Sequence, residues 1–260
     1  MADRYLTDLA DVLRGAGLTV TELDGWRDRS RSSGGYDPGY PSHVMVHHTG
    51  SPPSASGESD AYYCALYDED APLSNLCLDR DGLWWVLAAG ATNTNGKGGP
   101  LDGVAADCMN TAAIGVEANG GYGEAWPPAQ TASYVAGVRA LCDAYGCRYV
   151  RGHLEWAPTR KIDPAGPSPW AAGGASWNMD AFRSDVWNYE GAEMALSDED
   201  VERIAQRAAE LVWSHDVGGT RAWSAVNIIQ GTVRQYLGGW QDGTPPPEDT
   251  MLRQIYNNTR

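Results

Sequence analysis

GHLEWAPTRKIDPAGPSPW, residues 152–170, places an imidazole (His153), an ammonium (Lys161) and a carboxylate (Asp163) within eleven residues. Pro158, Pro164, Pro167 and Pro169 make the stretch a rigid loop. An imidazole and a carboxylate are metal ligands, and a lysine can steady developing negative charge. By itself, however, the segment reads equally well as a loop that keeps its polar groups in water. A function for it requires partners from elsewhere in the chain.

The strands upstream are the place to look. HVMVHHTG, residues 43–50, is a β-branched run closed by Gly50, Pro52 and Pro53, the pattern of a buried strand that feeds a surface loop. His47 and His48 stand at its end. AAIGVEANG, residues 112–120, is a second apolar strand with one acidic residue, Glu117, near its end. LSNLCLDRDGLWWVLAAG, residues 73–90, predicts a hairpin turned at Arg80-Asp81-Gly82, and the glycine-rich NTNGKGGPLDG after it predicts a loop.

Further out, Val135, Val138 and Leu141 mark a helix over Thr131–Tyr145 that packs on the sheet, and RYV, residues 148–150, predicts a strand leading into the opening segment. Leu6, Leu9 and Leu13 predict a short helix over Tyr5–Leu13, ended by Gly15 and Gly17, with a strand in LTVTELD and a loop over residues 26–42. The fold class this predicts is α/β, a mixed central β-sheet flanked by helices.

Residues 182–194 are acidic without strong periodicity, and the domain boundary is expected there, dividing 1–190 from a small helical region at 196–260. In that region Ser197 reads as a helix cap with Asp200 three residues on. Val201, Ile204, Ala208 and Leu211 form one apolar stripe. A second helix is expected over Trp223–Leu237, with QDGTPPPEDT as a linker-like tail. The stripe suits self-association or docking better than polymer binding.

Composition narrows the function. A chain of 260 residues with 42% hydrophobic content buries a sizeable core. Its net charge of -15 argues against nucleic-acid and anionic-surface partners, which need clustered Lys and Arg. The first residues show neither a signal peptide nor a membrane-spanning run, so the expectation is synthesis in a cytoplasm without membrane insertion. Five cysteines without CxxC spacing read as core thiols. Cys142 and Cys147 could pair on oxidation, but read better as small residues near a helix end.

A catalytic zinc site takes three protein ligands and leaves a position for water. His47, His153 and Asp163 would supply two imidazoles and a carboxylate. The same set describes non-haem iron oxygenases, but their closely spaced His-x-carboxylate pair is missing here. Taken singly, each histidine is more commonly a structural residue than a ligand.

The order and surroundings of these residues change that balance. VMVHHTG, IGVEANG and HLEWAPTRKIDPAGP together resemble three motifs of the type 2 N-acetylmuramoyl-L-alanine amidases, the superfamily of peptidoglycan-recognition proteins and many phage endolysins, over roughly residues 40–172. The resemblance implies the type 2 amidase fold and a Zn²⁺ held by His47, His153 and Asp163. It also implies Glu117 as general base and Lys161 at the oxyanion. Relatives that carry a tyrosine before the RDG turn differ from this chain, which reads Leu73-Ser74-Asn75 there. Ser74 lacks a phenol's reach, so Glu117 and Lys161 carry the work or Asn75 adds a hydrogen bond. Asn93, Asn95 and Lys97 are candidate substrate contacts, and Trp26 and Trp156 are either groove walls or core.

The implied function is zinc-dependent cleavage of the N-acetylmuramoyl-L-alanine amide of bacterial peptidoglycan by a phage endolysin acting at the cell wall. The alternatives are a wall-cutting component of a phage or injection particle, a non-catalytic peptidoglycan-binding module, or an assembly protein dominated by its C-terminal region.

Overall fold

The computed structural model describes residues 4–121 and 123–190. Among them, six strands build one sheet: β1 (Val20–Glu22), β2 (His43–His48), β3 (Leu76–Leu78), β4 (Trp84–Val86), β5 (Ala113–Ala118) and β6 (Tyr149–Gly152). Their order across the sheet is β1-β4-β3-β5-β2-β6. Only the β3–β4 hairpin is antiparallel, turned at Arg80-Asp81-Gly82 as its sequence predicts. The three strands β5, β2 and β6 run parallel side by side. Paired on both edges and covered on both faces, β2 buries all six of its residues, the three histidines included.

Side chains alternate across the sheet with a period of two. Val44 and Val46 of β2, Ile114 and Val116 of β5, and Val150 of β6 join the main core on one face. That face is covered by helices α1 (Leu9–Gly15), α3 (Pro128–Tyr145) and α5 (Met179–Trp187). Met45 and Ala113 have the opposite parity and pack with Trp156 in a second, smaller core. On that second side lie α2 (Gly57–Tyr62), started by Ser56, whose Oγ accepts the Ser59 N–H at 3.0 Å, and the short α4 (His153–Trp156). His47 and Glu117 share the parity of Met45 and Ala113 and face this side.

Several expectations shift. Helix α1 begins at Leu9 rather than Tyr5, and the Leu6 N–H before it donates to the Ala89 carbonyl at 2.8 Å. Within residues 26–42, Trp26–Asp28 forms one 3₁₀ turn around a buried indole whose Nε1 donates to Glu22 at 2.7 Å. The largest shift concerns Phe182–Trp187, expected to lack strong periodicity and found in helix α5. Asn178 caps α5 through its side chain, and Met179, Phe182 and Val186 bury one stripe of it against the main core. The 3–4 spacing of those apolar positions is helical. Its charged exposed face hides the period from a composition reading.

Cys142 and Cys147 are free and buried. They close the end of α3, where the Cys147 N–H donates to the Cys142 carbonyl at 3.1 Å and Gly146 takes a left-handed φ of 69°. No helix among the described residues is long and apolar enough to cross a membrane. The region expected at 196–260, with both of its helices, lies outside the described residues.

Candidate active site

Strand register builds this site. β2 pairs with β5 so that His47 stands opposite Glu117, and with β6 so that Val46 stands opposite Gly152. His153, the next residue, is therefore carried to the flank of His47 as β6 ends. The three groups sit at the carboxyl ends of adjacent parallel strands, where open α/β sheets place their ligands.

Local chemistry fixes each one. At the start of α4, Glu155 accepts the Gly152 N–H at 3.0 Å, and its carboxylate is gripped by Arg183 of α5 at 2.8 Å and by Arg151 at 3.2 Å. Asp163 is brought back over α4 because the Leu154 N–H donates to its carbonyl at 2.9 Å. His47 is held from beneath by Tyr134 of α3. His48, of opposite parity, accepts the Ala165 N–H on Nδ1 at 3.2 Å and borders the cavity.

The result is a close triangle. His47 Nδ1 lies 2.9 Å from His153 Nδ1 and 3.2 Å from Asp163 Oδ2, and His153 Nδ1 lies 3.1 Å from Asp163 Oδ2. Ligand atoms about 2.0–2.1 Å from a tetrahedral zinc stand roughly 3.3 Å apart, so the donor types and spacing fit that ion with one position left over. The imidazole tautomer fits as well. His153 Nε2 is 2.9 Å from the Asn95 carbonyl. A carbonyl only accepts, so the proton sits on Nε2 and leaves the Nδ1 lone pair for a metal.

That carbonyl is delivered by close backbone packing. Gly115 of β5 has no room for a side chain, since a Cβ there would collide with Thr94. The loop at 92–95 can therefore lie flat on the strand. Asn110 Oδ1 completes the hold by accepting the N–H groups of Asn95 at 2.7 Å and Gly96 at 3.2 Å.

The electrostatics separate the two carboxyls. Burial would raise Asp163, but hydrogen bonds from His153 and His47 outweigh it and hold the group well below the usual carboxylate range. Burial pushes Glu117 up to about 8, the Asp163 charge adding to the effect and the Lys161 ammonium opposing it. Burial, helped by the neighbouring His153, depresses His47 to about 4. A proton-accepting group poised near neutrality thus stands beside an ionised ligand set, with Glu117 Oε1 4.0 Å from His47 Nδ1.

Around these groups lies a cavity of about 260 Å³. Glu117, Lys161, Asn93 and Asn95 all border it. Asn93 Nδ2 donates to the Asp70 carbonyl at 2.9 Å, and the Asn95 side-chain amide is buried without a hydrogen-bond partner among the described residues. Asn75 and Trp156 are not brought there. Asn75 is buried, with its Nδ2 donating to the Ala88 and Gly90 carbonyls and its Oδ1 accepting the Gly115 N–H at 2.9 Å, so it ties the hairpin to β5. Trp156 is fully buried under the loop, donating to the Gly96 carbonyl at 3.2 Å. Trp26 is likewise core, and Ser74 is fully buried.

Sequence reasoning passed over Tyr134 and Arg160. Tyr134 falls on the helical stripe of Thr131, Val138 and Leu141, and a polar tip on a buried face was the available signal. Arg160 borders the cavity but has no periodic signature.

A comparison with curated proteins returned no match. The Amidase_2 family, described as N-acetylmuramoyl-L-alanine amidase, matches residues 37–166, half of the chain and a span that includes His47, Glu117, His153, Lys161 and Asp163. Among solved structures, the chain is similar to an AmpD derivative at 24% identity and a TM-score of 0.45, covering 63% of this chain and 95% of that one. It is similar to the endolysin amidase LysCS of Clostridium intestinale at 14% identity and a TM-score of 0.44, covering 65% and 95%. The endolysin of the Thermus scotoductus bacteriophage Ph2119 gives 14% identity and a TM-score of 0.44, covering 64% and 98%.

Proposed function

Since the chain belongs to the N-acetylmuramoyl-L-alanine amidase family Amidase_2, we propose that it is a zinc hydrolase cleaving the amide between the lactyl group of N-acetylmuramic acid and L-alanine in bacterial peptidoglycan. The observation that carries this reading is the triangle of His47 Nδ1, His153 Nδ1 and Asp163 Oδ2, with Glu117 beside it and the cavity lined by His153, Asp163 and Glu117. When bound there, zinc supplies Lewis acidity that polarises a carbonyl and brings the pKa of water to about 7.

The chain's own residues do the rest. His47, His153 and Asp163 hold the ion, and Asn95 and Tyr134 keep the two imidazoles in place. Glu117 takes a proton from the attacking water as its oxygen adds to the carbonyl carbon, then delivers it to the alanine nitrogen as the C–N bond breaks. The products are the lactyl carboxylic acid and the free amine, between which the second water proton passes to leave a carboxylate and an ammonium. The Lys161 ammonium steadies the oxyanion in between. A wall-binding module that has given up catalysis would need neither a complete ligand set nor a carboxyl held near neutrality.

The biological setting in the same proposal is that of an endolysin-like agent degrading a bacterial wall. Metal analysis combined with mass spectrometry of digested peptidoglycan tests the reaction. The expected result is about one zinc per chain and new alanine amino termini on released peptides. New reducing sugar ends, or cleavage within the peptide, would assign another activity. Glu117→Gln should retain zinc and clear no wall suspension.

A further inference from the structure

Arg160 is a cation at the cavity wall of a strongly acidic chain, and the reaction above gives it no task. Its side chain is exposed and makes no ion pair among the described residues. One corner of the guanidinium is anchored: Nη2 donates to the Asn95 carbonyl at 3.2 Å and to the Lys97 carbonyl at 2.6 Å. The donors on Nε and Nη1 make no hydrogen bond among the described residues. The Asn95 carbonyl that grips Nη2 also fixes His153 Nε2, so the guanidinium is registered directly to the ligand triangle.

An anchored guanidinium with spare donors on Nε and Nη1 can give a carboxylate a charge-assisted hydrogen bond. On the proposed substrate, the N-acetylated sugars are neutral and the lactyl carboxyl is consumed in the scissile amide. The substrate's anionic groups therefore lie in the peptide. We propose that Arg160 binds a peptide carboxylate and selects stem peptides with free carboxylates over amidated ones. The inference rests on the amidase reading and deepens it.

Two soluble N-acetylmuramoyl peptides, identical except that one has every carboxylate converted to carboxamide, supply the test. The zinc-loaded full chain should favour the acidic compound in kcat/KM by about 10- to 100-fold, the scale of a charge-assisted hydrogen bond. Arg160→Gln should bring that ratio close to one, and Arg160→Lys should keep part of it. Equal losses on both compounds in Arg160→Gln, or a wild type that does not discriminate, would mean that Arg160 only pins the loop, and would overturn the proposal. Calorimetric binding of both compounds to zinc-loaded Glu117→Gln separates the two readings. Arg160-dependent discrimination in binding, with neither compound cleaved by the wild type, would sink the reaction and leave Arg160 standing.

Discussion

The phenol of Tyr134 meets the backbone of His47 on both of its polar groups. The hydroxyl oxygen accepts the His47 N–H at 3.1 Å, and the hydroxyl lies 3.1 Å from the His47 carbonyl and 3.2 Å from the Val116 carbonyl. A side chain on α3 thus holds a ligand on β2 in register with β5. Tyr134→Phe removes that oxygen and leaves buried backbone groups unsatisfied, which should cost about 1–3 kcal/mol. Urea unfolding should show a lower midpoint with an unchanged slope; an unchanged midpoint would remove Tyr134 from the support of the site.

Metal should stabilise the fold through the ligand triangle. Zinc at a hundredfold excess over its Kd adds about 2.7 kcal/mol to the folded state. A chelator should therefore lower the Tm of the wild type and leave Asp163→Ala and His153→Ala unmoved. A chelator response that survives in both variants would place the metal elsewhere.

Gly115→Ala should push the loop at 92–95 off β5, because the added methyl collides with Thr94. Overpacking of this kind costs about 1–3 kcal/mol. The displaced Asn95 carbonyl would release His153 Nε2, so zinc affinity should fall as well. Equilibrium zinc titration checks this, and a variant with lower stability but unchanged affinity would separate the loop from the ligand.

Acid should destabilise the chain through His43 and Asp102. Burial lowers His43 from its usual 6.5, against the charge of Asp102, whose Oδ2 lies 3.5 Å from His43 Nε2. Below 6.5 the unfolded chain therefore takes up a proton that the folded chain resists. The stability is present above 6.5 and lost as pH falls through the folded value. Asp102 is lowered by its hydrogen bond from Arg151, so its contribution, present above 3.8, is lost at still lower pH with the same sign. Each unit of separation is worth about 1.4 kcal/mol. Unfolding followed from pH 7 to 5 should show a shallower loss in His43→Gln than in the wild type; parallel curves would clear His43 of the effect.

Helix α5 belongs to the core. Phe182 is fully buried, edge-on to Tyr134 at 5.6 Å between ring centres and to Trp170 at 4.8 Å. Phe182→Ala should cost about 3–5 kcal/mol. A loss below 1 kcal/mol, measured by denaturant unfolding, would remove Phe182 from the core.

Short-range patterns were the legible part of this chain. The apolar runs in HVMVHH and AIGVEA, the RDG turn and the stripe of Val135, Val138 and Leu141 each depend on neighbours a few residues away, and each appears as the corresponding strand, turn or helix. Helix α5 was misread because its charged face dominates its composition. Asn75 and Trp156 could not be placed, since an amide or an indole reads the same in a sequence whether it lines a cleft or ties strands together. Their burial depends on which carbonyls lie opposite, and those belong to residues 88, 90 and 96.

The sequence by itself determined the donor types, two imidazoles and a carboxylate with a second carboxyl and an ammonium, and the alternation that turns His47 and His48 to opposite faces of one strand. Only the tertiary structure decided that His47 and His153, 106 residues apart, approach to 2.9 Å, that the Asn95 carbonyl sets the His153 tautomer, and that Arg160 stands at the same cavity. The reason is physical. Periodicity and turn chemistry are local properties of the chain, whereas convergence depends on the register of three parallel strands, which is set by what the whole core excludes from water.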